Sequence, residues 1–443
     1  MKKSFILLAI FAVLIWTGCA SNRDLGFGKR QKQLEKMLAT SPVFSKSFTG
    51  FILMDPRTNR ILAAQDADKY FTPASNTKIF TFFTALQILG DSIPVFSQWR
   101  QGENLILAGG GDPSLLHPEL PQYPRIWENV RWHQGPVYLS SANWQDTRFG
   151  PGWAWDDYPY GYQAERAPLP MYGNFSWWTK TAGRPVAKVL PQRFNSLLTP
   201  KPGLSETLQR REWDNSIEYN PQKWLGADIN RVVPFLWSDT LAAQLLSDTL
   251  GRTVGVWPGK VPALPGKLWQ APLQDTVFMK LMKESDNFIA EQLLLACAQK
   301  KWGRMSSEST IKYVQDTLFK DAPDPLIWVD GSGLSRYNMF TPRTVAAVLQ
   351  KLHRMLPQDR LFDIFPAGGV SGTIKNWYGN PGGKPYVFAK TGSLANKHCL
   401  SGYIVPKSGQ VLVFSFMHNN FAGSSTPLRQ EMQGTLEWIK EHY

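Results

Sequence analysis

Over most of this chain apolar and polar residues alternate in short bursts, but from 72 to 90 the run after Lys78 is apolar or small on nearly every side. A segment that is apolar all round predicts a helix buried inside a domain, not one lying on a surface. Pro73 suits its start, having no N–H to lose, and Gly90 suits its stop. Its first turn nevertheless carries a hydroxyl at Ser75 and an amine at Lys78. Upstream, 50–55 and 60–65 read as two strands joined by a turn at Pro56-Arg57-Thr58-Asn59, a hairpin leading into that helix.

After Gly90 strand-length pieces such as 104–109 and 135–140 alternate with Pro, Gly and Trp, and 150–234 is loop-rich and aromatic. Helical periodicity returns at Ser238, runs over 273–300, and recurs over 310–319 and 341–355. Three strand-like runs come next, at 387–390, 399–405 and 410–417, and a last helix places Leu428, Met432, Leu436 and Ile439 on one face. The pattern predicts an α/β (α+β) domain over 20–95 and 270–443, split by an inserted, mostly β block over 96–269. A length of 443 residues leaves room for two or three domains and a sizeable core.

Residues 1–19 have the form of an export signal: Lys2 and Lys3, an apolar run over 5–16, then Thr17-Gly18-Cys19. The run is short for a membrane span. Small residues before a cysteine are similar to the bacterial lipobox, which implies acylation at Cys19 and a membrane anchor; plain signal cleavage is the alternative. The net charge of +13 comes from scattered Lys and Arg with no basic run, which argues against nucleic acid and suits an anionic or carboxylate-ended partner. Beyond Cys19 there remain Cys297 and Cys399, both in apolar contexts, which predicts two buried free thiols. No two histidines have zinc-binding spacing, so the expected mechanism uses no metal and no cofactor.

Spacing of three puts Ser75 and Lys78 on one helical face, with Cβ atoms roughly 5–6 Å apart. A serine needs a base, and a lysine becomes one when desolvation lowers its pKa toward neutrality. Ser-x-x-Lys is a short pattern, and it recurs at Ser309 and Lys312. The first copy gains its standing from two motifs further along the chain, Ser285-Asp286-Asn287 and then Lys390-Thr391-Gly392, the second of which occurs once. Together these form the set that marks penicillin-binding proteins and class A β-lactamases.

On these motifs, and on Gly109-Gly-Gly-Asp-Pro, Gly152-Trp-Ala-Trp-Asp-Asp-Tyr, Asp330-Gly-Ser-Gly-Leu-Ser-Arg and Gly369-Val-Ser-Gly-Thr, almost the whole mature chain resembles a known group. It is the D-alanyl-D-alanine carboxypeptidase/endopeptidase kind of low-molecular-mass penicillin-binding protein, type 4. The resemblance implies a serine β-lactamase/transpeptidase-like domain, an antiparallel sheet flanked by helices. It implies acyl transfer on peptidoglycan stem peptides and covalent binding of β-lactam antibiotics, in the bacterial envelope. Ser75 would be the nucleophile, Lys78 its base, Ser285 a proton relay, Asn287 a partner of Lys78 and substrate, and Lys390 a positive charge for the terminal carboxylate. Thr391, Gly392 and Ser393 would bind substrate, with the N–H groups of Ser75 and Ser393 as oxyanion hole. Asp157 and Tyr162 would face the site, Asp157 meeting a diamino-acid amine; the competing reading is a polar residue capping a turn, which is also favoured for Asp112 and Asp330. The competing functions are a serine β-lactamase, whose class A members deacylate with a glutamate located after the Ser-Asp-Asn motif whereas the candidate here, Glu165, precedes it, and a non-catalytic peptidoglycan-binding lipoprotein.

Overall fold

The strand Phe48–Asp55 is buried at all but its first position because both of its faces are covered. In the computed structural model, which describes residues 26, 28–261 and 266–443, it sits within a five-stranded antiparallel sheet. The order is Val387–Leu394, Lys397–Ile404, Leu412–Asn419, Phe48–Asp55, Arg60–Gln65. The expected hairpin is present, and Phe51 lies opposite Phe416 with ring centroids 4.4 Å apart. Alternation along the strands sends Phe51, Leu53, Phe414 and Phe416 to one face, where they pack with Leu34 and Leu38 of a helix over 28–40 and with the apolar stripe of Thr426–His442. Ile52, Met54, Val413 and Met417 face the other way, onto the core built around the helix Thr77–Ile88.

That helix is as buried as its pattern required, from Thr77 through Ala85 without a break. Phe80 packs against Phe340, Phe319 and Trp328 at centroid distances of 4.3, 5.5 and 6.0 Å. Burying each such side chain stabilises the fold by roughly 1.5–3 kcal/mol, so the helix start is held on a rigid base. Pro342–Met355 covers the same side, its Thr341 hydroxyl accepting from Thr344 N.

The apolar run over 273–300 is not one helix. Asp275–Met279 passes into a π-helical turn at Lys280–Glu284, the chain breaks at Ser285, and Asn287–Trp302 begins afresh. Between Ser92 and Pro272 lies a second five-stranded sheet, ordered Val254–Val256, Val137–Leu139, Asn104–Gly109, Ser92–Gln101, Lys267–Pro272. Both expected edges of the inserted block, at 95/96 and 269/270, fall inside strands that pair with each other, Ser92–Gln101 and Lys267–Pro272. The loop-rich stretch condenses into two small three-stranded sheets, and Asp239–Leu250 is the helix that began at Ser238. Cys297 and Cys399 are buried and unbridged. No helix among the described residues is long and apolar enough to cross a membrane. The export signal and Cys19 lie outside the described residues.

Candidate active site

Three segments distant in sequence meet at Ser75. Ala74 adopts a left-handed conformation (φ 49°) and Ala74–Asn76 form one 3₁₀ turn, so Ser75 precedes the α-helix instead of lying in its first turn. Lys78 comes one turn later and is wholly buried. Its Nζ lies 3.1 Å from Ser75 Oγ, 2.5 Å from Asn287 Oδ1 and 2.7 Å from the Ser332 carbonyl oxygen. The last two neighbours can only accept. A neutral amine donates to both and keeps its lone pair for the serine proton. Burial pushes the amine that way, down to about 8, against the pull of Asp330, Glu291 and Asp286.

Ser285 and Asn287 come from the break between the two helices. Asp286 stops one and starts the other, its Oδ1 accepting from Ile289 N at 2.8 Å. Ser285 is left-handed, φ 63° and ψ 37°, a conformation that costs a non-glycine residue roughly 1–2 kcal/mol and that functional sites commonly store. The kink lets Asn287 reach Lys78, while its Nδ2 donates to the Tyr162 carbonyl at 2.8 Å, which fixes the amide orientation. Ser285 Oγ accepts from Lys390 Nζ at 2.8 Å.

Lys390 belongs to the edge strand Val387–Leu394 and is fully buried; its Nζ also donates to the Thr391 carbonyl. Burial, and then the neighbouring Lys78, hold its pKa well below the ordinary lysine value. Gly392 is required by close approach: a Cβ there would stand 2.3 Å from the Pro73 carbonyl oxygen and 3.0 Å from the Ser75 and Asn76 nitrogens. Asn76 Nδ2 ties the two segments together by donating to the Lys390 carbonyl at 2.9 Å. On the outer side of Val387–Leu394, Ala389 N donates to Pro366 O and Val387 O accepts from Gly368 N, so odd-numbered residues turn their main-chain groups away from Lys397–Ile404. The N–H groups of Thr391 and Ser393 therefore face the open side, beside the Ser75 turn. Thr391 Oγ1 donates to Thr373 Oγ1 at 2.7 Å, and the exposed Ser393 hydroxyl pairs with His398 Nδ1 at 2.9 Å.

Asp157 and Tyr162 join this assembly from the inserted block. The Tyr162 hydroxyl donates to Asp157 Oδ1 at 2.7 Å, and the Tyr162 carbonyl is the acceptor of Asn287. Tyr162 also stacks on Tyr160, with centroids 5.4 Å apart and planes at 10°.

Sequence reasoning marked the loop that begins at Asp330 but not its bond to Lys78. Asp330, expected to be a turn residue, is buried and does organise a loop. Its carboxylate accepts from Gly333 N, Ser335 N, Asn338 Nδ2 and Trp153 Nε1 at 2.7–2.9 Å. That loop delivers the Ser332 carbonyl to Lys78 and presses Gly333 (φ 82°) onto the Ala74 carbonyl, where a Cβ would come within 1.9 Å. Glu291, one turn after Asn287, lies beneath it and accepts from Ser332 N. A lone glutamate in an apolar helical run was the available signal for it. Asp112 caps Ser114 N at 2.9 Å, as a turn residue does, and burial pushes its carboxyl up to about 6.

Comparison with known proteins identifies relatives over most of the chain. A D-alanyl-D-alanine carboxypeptidase DacB of Haemophilus influenzae is 26% identical over 421 residues, 85% of this chain and 86% of that protein. A D-alanyl-D-alanine carboxypeptidase of an Actinomadura species is 27% identical over 435 residues, 86% of this chain and 79% of that protein. The crystal structure of penicillin binding protein 4 from Haemophilus influenzae shares the fold, with a TM-score of 0.71, 24% identity, and coverage of 92% of this chain and 99% of the other. The sequence model of one family matches residues 30–198 and 263–441, passing over a stretch that holds one of the small sheets and the helix Asp239–Leu250. On that match, the chain belongs to the D-Ala-D-Ala carboxypeptidase 3 (S13) family.

Proposed function

We propose that this protein is a serine-type D-Ala-D-Ala carboxypeptidase, with endopeptidase capacity, acting on peptidoglycan stem peptides through an acyl-enzyme on Ser75. The observation that carries the reading is the buried Lys78 amine, 3.1 Å from Ser75 Oγ and bonded to two pure acceptors. Ser75 Oγ attacks the carbonyl of the penultimate D-alanine while Lys78 takes its proton. The Ser75 and Ser393 N–H groups receive the developing oxyanion. Collapse breaks the amide bond, and the departing amine takes a proton through Ser285, which Lys390 holds in place. Water then attacks the ester; Lys78 takes its proton and passes it to Ser75 Oγ as the ester C–O bond breaks, restoring both groups. The carboxylate of the substrate enters beside Lys390 and Thr391, and its negative charge offsets the burial that discourages Lys390 from staying protonated. An extended peptide fits the strand edge beside Thr391 and Ser393 by main-chain pairing, the edge at 387–389 being taken by Pro366 and Gly368. A β-lactam acylates the same serine and is released slowly. The β-lactamase reading gains nothing from Glu165, whose carboxylate is committed to Trp237 N and Arg210.

Mass spectrometry of muropeptides digested with the purified protein tests this. Pentapeptides shortened by one alanine report the first activity and broken cross-links the second; if neither appears, the proposal fails.

Asp157 is proposed to meet the free amine of a diamino-acid side chain, since it sits one tyrosine away from Asn287. In Asp157→Asn the preference for free-amine over amidated stem peptides is expected to fall roughly tenfold or more, the worth of one charge-assisted hydrogen bond. Equal preference ratios in mutant and parent would remove Asp157 from the site. The envelope is the proposed location, with Cys19 lipidated after export; Cys19→Ser should abolish incorporation of labelled palmitate, and undiminished labelling would rule the anchor out.

A further inference from the structure

Glu291 lies one helical turn beyond Asn287 in the apolar middle of Asn287–Trp302, and it is 1% exposed. None of the proposed catalytic steps uses it. A carboxylate in such a place carries a desolvation cost of several kcal/mol and needs compensating partners. Its Oε1 accepts from Ser332 N at 2.7 Å, and the carbonyl of the same Ser332 accepts from Lys78 Nζ at 2.7 Å. Its Oε2 has no hydrogen bond and faces Arg166 Nη1 at 3.6 Å. Arg166 is also buried and is held in turn by Asp146, Thr147 and Ser307. Arg166 from the inserted block and Asp330 from the loop thus act on Glu291, while Asp330, Glu291 and Asp286 act on Lys78.

We propose that Glu291 is a positioning residue for acylation: it clamps the Ser332 main chain so that its carbonyl holds the Lys78 amine against Ser75, and it places a carboxylate behind that amine. The inference rests on Lys78 being the base of the proposed mechanism. Burial alone would carry a lysine amine far down, and an amine that is too weak a base cannot take the proton of a serine. Glu291 counters this from behind. Burial, then Asp330, push its own carboxyl up to about 7, against Arg166 and the Ser332 N–H. Its carboxylate is therefore charged in the range where Lys78, near 8, gives up its proton, and that charge holds the proton on the amine.

The test is the rate of covalent penicillin labelling as a function of pH for the wild type, Glu291→Gln and Glu291→Ala, with thermal melts of each. The wild-type rate is expected to rise through a midpoint near 8. Glu291→Gln still offers an oxygen to Ser332 N but no charge. Its midpoint should fall by on the order of one pH unit, because a nearby opposite charge is lost. Its plateau should fall several-fold as the base weakens. Glu291→Ala also leaves the Ser332 N–H unpaired, and its plateau should drop about tenfold further. Profiles that superimpose on the wild type would overturn the proposal. So would a lowered plateau with an unmoved midpoint, the signature of a residue that only supports the fold. If the wild type itself forms no adduct, the assignment of Ser75 and Lys78 fails, not Glu291 alone.

Discussion

Ser75→Ala is expected to stop D-alanine release and to remove the penicillin adduct while leaving the protein folded. Loss of a catalytic serine costs up to about a millionfold in turnover where the nucleophile, its base and the oxyanion hole act as a unit. The structure gives the reason that stability should survive. The hydroxyl is half-buried in a 3₁₀ turn and its hydrogen bond is to Lys78, which keeps Asn287 and Ser332 when the serine is gone. The turn itself is held by Thr77 Oγ1 on the Ala74 carbonyl and by Asn76 on Lys390. Intact-mass measurement after incubation with penicillin, beside a thermal melt, reads both halves. A stable adduct on the alanine protein would show that another residue is the nucleophile.

Lys78→Met should lower the acylation rate by about 10²–10⁴, the usual contribution of a positioned base. It should also erase the pH dependence. In the wild type the reactive form carries the amine unprotonated, so labelling is slow below the pKa of about 8 and reaches its plateau above it. The methionine protein has no such group and should show a low rate without that inflection. The substitution leaves Asn287 Oδ1 and the Ser332 carbonyl without their donor, each at about 1–3 kcal/mol, so a lower melting temperature is expected as well. Labelling is therefore to be compared well below the melt. Retention of the wild-type rise through pH 8 would mean that some other group is the base.

Much of the site could be read from the chain. Ser75 and Lys78 are neighbours by helical spacing, and the polar run Ser285-Asp286-Asn287 could only interrupt an apolar helix. Lys390-Thr391-Gly392 closes one strand-like run and is followed by another. What the pattern misjudged was local geometry under tertiary load. The helix start predicted at Pro73 became a 3₁₀ turn, because Gly392 and Gly333 press on it from two sides. The polar break at 285–287 was legible; that Ser285 turns left-handed there, with its hydroxyl bonded to Lys390 on a distant strand, was not. The edges expected for the inserted block fell inside Ser92–Gln101 and Lys267–Pro272, because composition changes gradually while strand pairing does not.

By itself, the sequence determined which groups are proposed to carry the chemistry and in what order, since hydroxyls, amines and their spacing along a helix are local properties. Only the tertiary structure decided that Lys78 is dry and bonded to two acceptors, that Lys390 holds Ser285, and that Glu291 stands behind Ser332. Desolvation and long-range hydrogen bonds depend on what packs against a group from elsewhere in the chain, and no window of neighbouring residues contains that information.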